Sequence, residues 1–309
     1  MISVAVLAGG TSDEREVSLR SGAAVLQALI TAGYQAVQLD SNCSDQDLQN
    51  HNVIFSVLHG KGGEDGTFQQ RLEKLRLAYV GSDAVASSLT FDKQRYLEKM
   101  LQDKMPIPEG VLVNADDYQS HALNQRPHVL KPHNGGSSID TFIVRQPANK
   151  PLTAIDGAFK THGQLLLEEL INGTEITVGI LGDKALPVIE IIPPASGEFD
   201  YANKYNGATQ ELCPPQNVSL AAQQKAQELA LQTHRLMGCR DLSRTDMFVR
   251  PDDSIVILET NTLPGMTATS LFPKMAAQAG YDMPQLVDAL VQMALSRAET
   301  GDASRPANR

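Results

Sequence analysis

Asp246-Met-Phe-Val-Arg250, Pro251-Asp-Asp-Ser254 and Ile255-Val-Ile-Leu-Glu-Thr-Asn261 run on without a break, and they read as two strands joined by a turn. The flanks are rich in β-branched and apolar residues, and Pro-Asp-Asp-Ser is a turn signal. Closure on Asp252-Asp253 pairs position 250 with 255, 248 with 257 and 246 with 259. A four-residue loop of 251–254 gives the same register. Asp246 and Glu259 are then opposite each other, their side chains about 5 Å apart. Asn261 shares a face with Glu259 because strand side chains alternate. Two opposed carboxylates repel, and a carboxamide oxygen beside them adds a third hard acceptor. A divalent cation resolves the conflict, and Mg²⁺ prefers such oxygens together with substrate phosphates. The alternative at this point is a solvated polar hairpin face with a strained pair.

The rest of the chain is that of an ordinary soluble globular protein: 309 residues, 42% hydrophobic and 20% charged, enough for two or three cores. A net charge of −10 argues against a nucleic-acid surface, so an anionic substrate needs its own lysines and arginines. Cys43, Cys213 and Cys239 are scattered and fit neither a disulfide framework nor a zinc site. The first ten residues lack the basic region and length of a signal peptide, and no apolar run approaches the ~20 residues of a membrane span. Cytoplasm is the expected location, with no membrane partner.

A strand at 3–8 ends on Gly9-Gly10, and a helix over 16–31 follows, with Val17, Ala24, Val25, Ala28 and Leu29 at helical spacing. Strands at 34–39 and 53–58 and a helix at 66–75 complete a β-α-β order, which implies a small parallel sheet. A helix is expected at 92–101, an extended segment at Pro106-Ile-Pro108, and strands at 128–131 and 141–145. Further strands are expected at 165–169, 174–181 and 185–192. Residues 196–210 are polar and read as a long functional loop or lid. A helix capped by Ser219 and stopped at Gly238 precedes the hairpin. A last helix covers 284–297, and the polar tail from 299 reads as disordered.

Three loops carry further chemistry. Lys131-Pro-His-Asn-Gly-Gly-Ser-Ser138 is a glycine-rich loop between strands, not a Walker loop, which opens a helix and places its lysine after the last glycine. A lysine charge, exposed N–H groups and two hydroxyls suit polyphosphate; a plain glycine turn is the other reading. Gly9-Gly-Thr-Ser-Asp-Glu-Arg-Glu16 joins the first strand to the first helix. A carboxylate ligand could rest on that helix N-terminus while Glu14 answers an ammonium group, unless it is only a capped start with acidic residues. His59-Gly-Lys-Gly-Gly-Glu-Asp-Gly66 leaves a strand C-terminus, where α/β sheets place ligands. Its histidine and acids match no standard metal spacing.

Together these segments resemble the D-alanine–D-alanine ligase family of the ATP-grasp superfamily. The stretches are Gly9-Gly-Thr-Ser-Asp-Glu-Arg-Glu-Val-Ser18, Leu58-His-Gly-Lys-Gly-Gly-Glu-Asp-Gly-Thr67, Phe91-Asp-Lys93, Lys131-Pro with Gly136-Ser-Ser138, Lys204-Tyr205, Arg244-Thr-Asp246 and Glu259-Thr-Asn-Thr-Leu-Pro-Gly-Met-Thr267. They occur in the family's order over nearly the whole chain. The resemblance implies a three-domain α/β architecture. A small Rossmann-like parallel sheet over 1–90 binds substrate, and two α+β domains, 91–167 with the phosphate loop and 168–309 with the metal and substrate site, clasp ATP.

It also implies the reaction. ATP phosphorylates the carboxylate of one D-alanine, and the amine of a second attacks the acyl phosphate, giving the dipeptide of peptidoglycan precursors. Asp246, Glu259 and Asn261 would hold two Mg²⁺ (or Mn²⁺) ions. Lys93, Lys131 and Lys204 would contact the ATP phosphates, and Glu168, Ile171 and Glu175 match adenosine-site positions. Arg244 would stabilise the transferring phosphoryl group, helped by the Gly265 N–H as an oxyanion donor. Glu14 matches the residue holding the first ammonium group, in a triad with Ser137 and Tyr205 that closes the site against water. Ser270 and Leu271 match contacts to the second D-alanine's carboxylate, and His59 a histidine near the substrates. Members that make D-alanyl-D-lactate usually lack the tyrosine–serine–glutamate set, so its presence favours an amine acceptor. A homodimer is expected, with D-alanine and ATP as partners and no nucleic acid.

Departures from the family pattern are His133-Asn134-Gly135 for a frequent Ser-Arg-Glu, Asp241-Leu-Ser243 for a Gly-Trp-Gly-like stretch, Leu263 for serine, and Glu169 for lysine. They imply altered affinities rather than altered chemistry. The rivals are another ATP-grasp carboxylate–amine ligase and an ATP-binding regulatory protein without catalysis. Retention of Arg244 and all three metal positions speaks against the second, since a binder needs no transition-state cation.

Overall fold

The computed structural model describes residues 1–135, 140–194 and 209–300. Most of the stretch expected as a lid, together with Ser137, Lys204 and Tyr205, lies outside the described residues, as does nearly all of the tail.

Four strands, β1 (Ser3–Leu7), β2 (Gln35–Leu39), β3 (Val53–Ser56) and β4 (Ala78–Tyr79), pair in parallel in the order β2-β1-β3-β4. Val4, Ala5, Val6 and Leu7 are all buried, as a parallel sheet covered on both faces requires. The helix Arg15–Thr31 runs close beside it: a Cβ on Gly22 would stand 2.3 Å from that of Ala8. The chain leaves β1 and β3, neighbours in the sheet, toward opposite sides, so the loops after them flank a crevice at the strand C-termini.

A second sheet joins β5 (Gly110–Val113), β6 (His128–Pro132), β7 (Phe142–Val144) and β8 (Leu165–Glu169) in the order β5-β8-β6-β7, antiparallel throughout. The helix Leu152–His162 buries Ile155 and Phe159 against Leu130 and Leu165. The third sheet holds β9 (Thr174–Leu181), β10 (Lys184–Ala185), β11 (Ile189–Ile192), β12 (Gln210–Leu212), β13 (Leu242–Val249) and β14 (Ile255–Asn261), in the order β12-β11-β9-β13-β14 with β10 on β9. The single strand expected over 185–192 is thus two, interrupted around Pro187, which has no N–H for the ladder. Ser219 caps the helix Leu220–Leu236 by accepting from the Ala222 N–H at 3.1 Å, and Gly238 ends it at φ 70. No helix among the described residues is long and apolar enough to cross a membrane.

The decisive hairpin reaches the expected pairing by an unexpected route. Its loop is three residues, 251–253: Arg250 N–H bonds Ser254 O at 2.8 Å, and Asp253 sits at φ 64. Val249 therefore pairs with Ile255, Phe248 with Val256 and Met247 with Ile257, each one residue away from the expected register. A bulge then inserts Leu258, so that Asp246 still faces Glu259. Proline followed by an aspartate that tolerates the left-handed region favours this three-residue loop.

The helices Leu271–Gln278 and Met283–Glu299 bury Phe272, Met275, Leu286 and Leu290 in one core with Val4, Val6 and Phe55 of the parallel sheet and Leu242 of β13. A polar latch reinforces it. Arg297 forks onto the buried Asp241, at 2.8 Å to Oδ2, and also donates to Tyr79 O at 2.9 Å, while the Gly81 N–H donates to Asp241 at 2.8 Å. Replacing Arg297 by alanine leaves that carboxylate buried without its cation and should lower stability by about 2–3 kcal/mol. The exposed Lys99–Asp103 pair should lose ~0.5 kcal/mol or less on Lys99→Ala. Urea unfolding of both variants checks this, and equal shifts would remove the latch from the account.

Candidate active site

A cleft of ≈ 1540 Å³ opens between the second and third sheets and extends to the loops after β1 and β3. Single-ligand pockets run ~300–1,000 Å³, so there is room for more than one ligand. Val129, Ile143, Ile171, Ile191, Phe248 and Leu258 give it apolar walls. Glu14, Lys93, Lys131, Glu168, Glu175, Asp246 and Glu259 supply its charge.

Lys131, next to the end of β6, has its Nζ 2.5 Å from Glu168 Oε2. Burial alone would lower its pKa, but Glu168 and Glu259 outweigh that and raise it, so the ammonium stays charged. Lys93 opens the helix Lys93–Gln102, which Asp92 caps through the N–H groups of Gln94 and Arg95. Its Nζ donates to Gly135 O at 2.8 Å and lies 3.5 Å from Glu259 Oε2. Lys93 N–H bonds His133 O at 2.9 Å, and Asp92 bridges Asn134. The departure His133-Asn134-Gly135 is therefore held through its backbone. Tyr96 of the same helix bonds Thr260 at 2.9 Å, fixing the helix to β14.

Asp246 is 7% exposed. Its Oδ1 accepts from Thr177 Oγ1 at 2.6 Å and Arg244 Nε at 2.9 Å, and its Oδ2 from Arg244 Nη2 at 2.7 Å. Thr177 faces Asp246 across the β9–β13 pair. Asn261 pairs with Arg244 across β13–β14, and its Oδ1 accepts from the Leu263 N–H at 2.8 Å. Two carboxylates and a carboxamide form a hard oxygen set, which fits a divalent cation that also takes phosphate oxygens and water. Among the described residues no group of three His, Cys, Asp or Glu side chains makes a closed cage.

Glu14 occupies the N-cap position of the helix Arg15–Thr31 without capping it, and lines the cleft. Ser12 Oγ donates to His59 O at 2.7 Å, tying the loop after β1 to the loop after β3. The His59 side chain is buried, and its Nε2 has no hydrogen-bond partner among the described residues. Gly265 and Ser270 are neighbours, a Cβ on Gly265 falling 2.9 Å from Ser270 Oγ, and Ser270 with Leu271 begins the helix Leu271–Gln278. These three, with His59, Arg244 and Asn261, lie outside the cleft lining. Glu168, Ile171 and Glu175, at the end of β8 and start of β9, all line it.

Sequence reasoning missed Thr177 and the walls formed by Val129, Ile143, Phe248 and Leu258, because each depends on which strands pair. It also missed Glu190, a buried lining carboxylate that accepts from the N–H groups of Gln216 and Asn217. Two departures find partners of their own. Ser243 Oγ bonds His234 Nδ1 at 2.7 Å, and Glu169 accepts from Arg250 at 3.0 Å.

A family model described as the D-Ala D-Ala ligase C-terminus matches residues 108–292, and one for the corresponding N-terminus matches residues 33–82. The chain is 41% identical to a D-alanine--D-alanine ligase of Xanthobacter autotrophicus, over 94% of this chain and 97% of that protein. It is 42% identical to the enzyme of that name from Azorhizobium caulinodans, with the same coverage. Among solved structures it resembles the Bacillus anthracis D-alanine--D-alanine ligase complexed with ATP, at TM-score 0.83 and 28% identity, covering 97% of this chain and 100% of that one.

Burial, with Arg244 nearby, pushes the His59 imidazole down to about 4. Its NMR signals should therefore keep the neutral-form positions from pH 8 to about pH 5. An unfolded histidine titrates near 6.5, so on acidification the unfolded chain takes up the proton first. The stability tied to His59 is then full above about 6.5 and falls as pH drops toward 4. A midpoint at 6 or above would contradict the burial account.

Proposed function

The chain belongs to the D-alanine–D-alanine ligase family, and on that premise we propose how its cleft joins two D-alanines at the expense of ATP. The product is the D-alanyl-D-alanine of peptidoglycan precursors. The observation that carries the reading is one cleft in which Lys93 and Lys131 stand with the opposed Asp246 and Glu259, and which Glu14 also lines. Cations for phosphate, hard oxygens for metal and a carboxylate for an ammonium group are the requirements of carboxylate activation by ATP followed by amine attack.

The adenine ring enters between Val129, Ile143, Phe248 and Leu258, with Glu168, Ile171 and Glu175 around the nucleoside. Lys93 and Lys131, joined by Lys204, take the phosphates. Asp246, Glu259 and Asn261 hold two Mg²⁺ (or Mn²⁺), which when bound neutralise the charge of the ATP phosphates. Arg244, clamped by two bonds to Asp246, is a permanent cation for the transferring phosphoryl group and for the oxyanion that follows. The Gly265 N–H is the second donor to that oxyanion. Glu14 holds the first ammonium group and, with Ser137 and Tyr205, closes the site so that water does not consume the acyl phosphate. Ser270 and Leu271 receive the second carboxylate, and His59 stays neutral beside the substrates. ATP supply places the reaction in the cytoplasm, and a homodimer belongs to the same reading.

The test is ATP- and Mg²⁺-dependent phosphate release with D-alanine, compared with L-alanine and with D-alanine plus D-lactate, the products weighed by mass spectrometry. D-alanyl-D-alanine from D-alanine alone is the expected result, lost on chelation and restored by Mg²⁺. ATP binding without turnover would transfer the chain to another amino-acid ligase activity. Arg244→Ala should lower kcat by roughly 10²–10³ while the Kd for ATP changes less than about tenfold. A parallel loss of both, or of neither, would refute the role of Arg244.

A further inference from the structure

Thr177 has no part in the roles above, yet it holds a carboxylate that has one. It stands in β9 between Ile189 of β11 and Asp246 of β13, the residues paired with it on either side. Its side chain is fully buried, and a buried hydroxyl requires a partner. Two acceptors lie in reach, Asp246 Oδ1 at 2.6 Å and Thr245 O at 3.3 Å. The hydroxyl has a single hydrogen, and the nearer, charged oxygen takes it. Threonine is stiff at χ1, so the donor is aimed rather than free to turn away.

Counting acceptor positions on Asp246 gives this bond a consequence. A carboxylate has about four lone-pair sites, two on each oxygen. Oδ1 accepts from Thr177 Oγ1 and from Arg244 Nε at 2.9 Å, so both of its sites are taken. Oδ2 accepts from Arg244 Nη2 at 2.7 Å and, among the described residues, from no other group. One site on Oδ2 is left for a ligand. Asp246 lines the cleft whereas Thr177 is fully buried, so the hydroxyl acts on the carboxylate from its buried side.

We propose that Thr177 is a positioning residue that restricts Asp246 to binding its cation through Oδ2 alone, and that it thereby favours Mg²⁺ over Ca²⁺. Mg²⁺ demands near-octahedral geometry, which a two-oxygen bite from one carboxylate distorts. Ca²⁺ takes more oxygens in looser geometry and accepts both from one carboxylate. With Oδ1 occupied from behind, the two-oxygen mode is closed. Removing the hydroxyl opens it and lets the carboxylate serve the larger ion. This rests on the reading above, in which Asp246 holds a divalent cation.

The competing account makes Thr177 only a filler of the sheet interior. Thr177→Val keeps the shape and removes the donor, whereas Thr177→Ser keeps the donor and removes a methyl group. Thr177→Ala also lacks the donor and carries the same expectation if the valine protein fails to fold. Mn²⁺ is bound to each protein with a non-hydrolysable ATP analogue and followed by electron paramagnetic resonance while Mg²⁺ or Ca²⁺ displaces it. The ratio of Mg²⁺ to Ca²⁺ concentrations at half-displacement is independent of the affinity for Mn²⁺ itself. That ratio should rise about tenfold in Thr177→Val, the usual cost of losing a partner that orients a metal ligand, and stay within about twofold of wild type in Thr177→Ser. An unchanged ratio in the valine protein would overturn the proposal. So would a serine protein that shifts as far as valine, which is the mark of packing. Wild type that holds no Mn²⁺ counts against the metal reading itself, and the proposal goes with it; bound Mn²⁺ with an unchanged ratio counts against Thr177 alone.

Discussion

Two carboxylates held face to face across β13 and β14 govern the arrangement around them. Alone, Asp246 and Glu259 would repel, and the compensating groups come from separate elements. Arg244 lies two residues before Asp246 on the same strand face and forks onto it. Thr177 reaches the same carboxylate from β9, and Lys93 approaches Glu259 from a helix fixed to β14 by the Tyr96–Thr260 bond. The order β9-β13-β14 and the seat of that helix are thus conditions for holding the pair. The charged groups of the hairpin are thus already placed, which is the preorganisation that the proposed transition-state stabilisation requires.

The bulge at Leu258 makes this hairpin serve two purposes. A three-residue turn sets the register near the loop, and carried on unchanged it would put Leu258 opposite Asp246. One inserted residue restores Glu259 to that place. It also turns two consecutive side chains, Leu258 and Glu259, toward the same cleft, which alternation in a regular strand forbids. An apolar wall and a carboxylate thereby stand side by side in one cleft.

The sequence revealed what is local. Apolar runs and caps located the first strand, the helix Arg15–Thr31 and the helix behind Ser219, and turn chemistry located the hairpin, because each is decided within a few residues. The turn's length was not legible, since Pro-Asp-Asp-Ser admits two, three or four loop residues and only the whole sheet selects one. Short elements such as the helices Ala84–Phe91 and Ala115–Ser120 carry too few turns for a periodic signal. At the site, residues inside motifs were found, whereas Thr177 and Phe248 were not. Thr177 matters only because β9 lies against β13, and Phe248 only because the hairpin puts it in the cleft wall. Long-range pairing is not written in any window of sequence.

The departure at Asp241-Leu-Ser243 shows how such a site keeps its geometry with altered residues. Asp241 adopts φ 59, a conformation that glycine takes freely and that costs another residue about 1 kcal/mol. Here the side chain offsets that strain by accepting from Arg297 and from Gly81. Two residues on, Ser243 is held by His234, whose imidazole burial pushes down to about 4 and so keeps neutral. The strand that presents Arg244 and Asp246 is consequently tied to the last helix, to the loop after β4 and to the helix Leu220–Leu236. Glu14 lies on the loop after β1 of that same parallel sheet. A single packed core and one latch therefore fix the Glu14 loop relative to the hairpin that carries Arg244, Asp246 and Glu259, and the proposed chemistry depends on that distance staying constant.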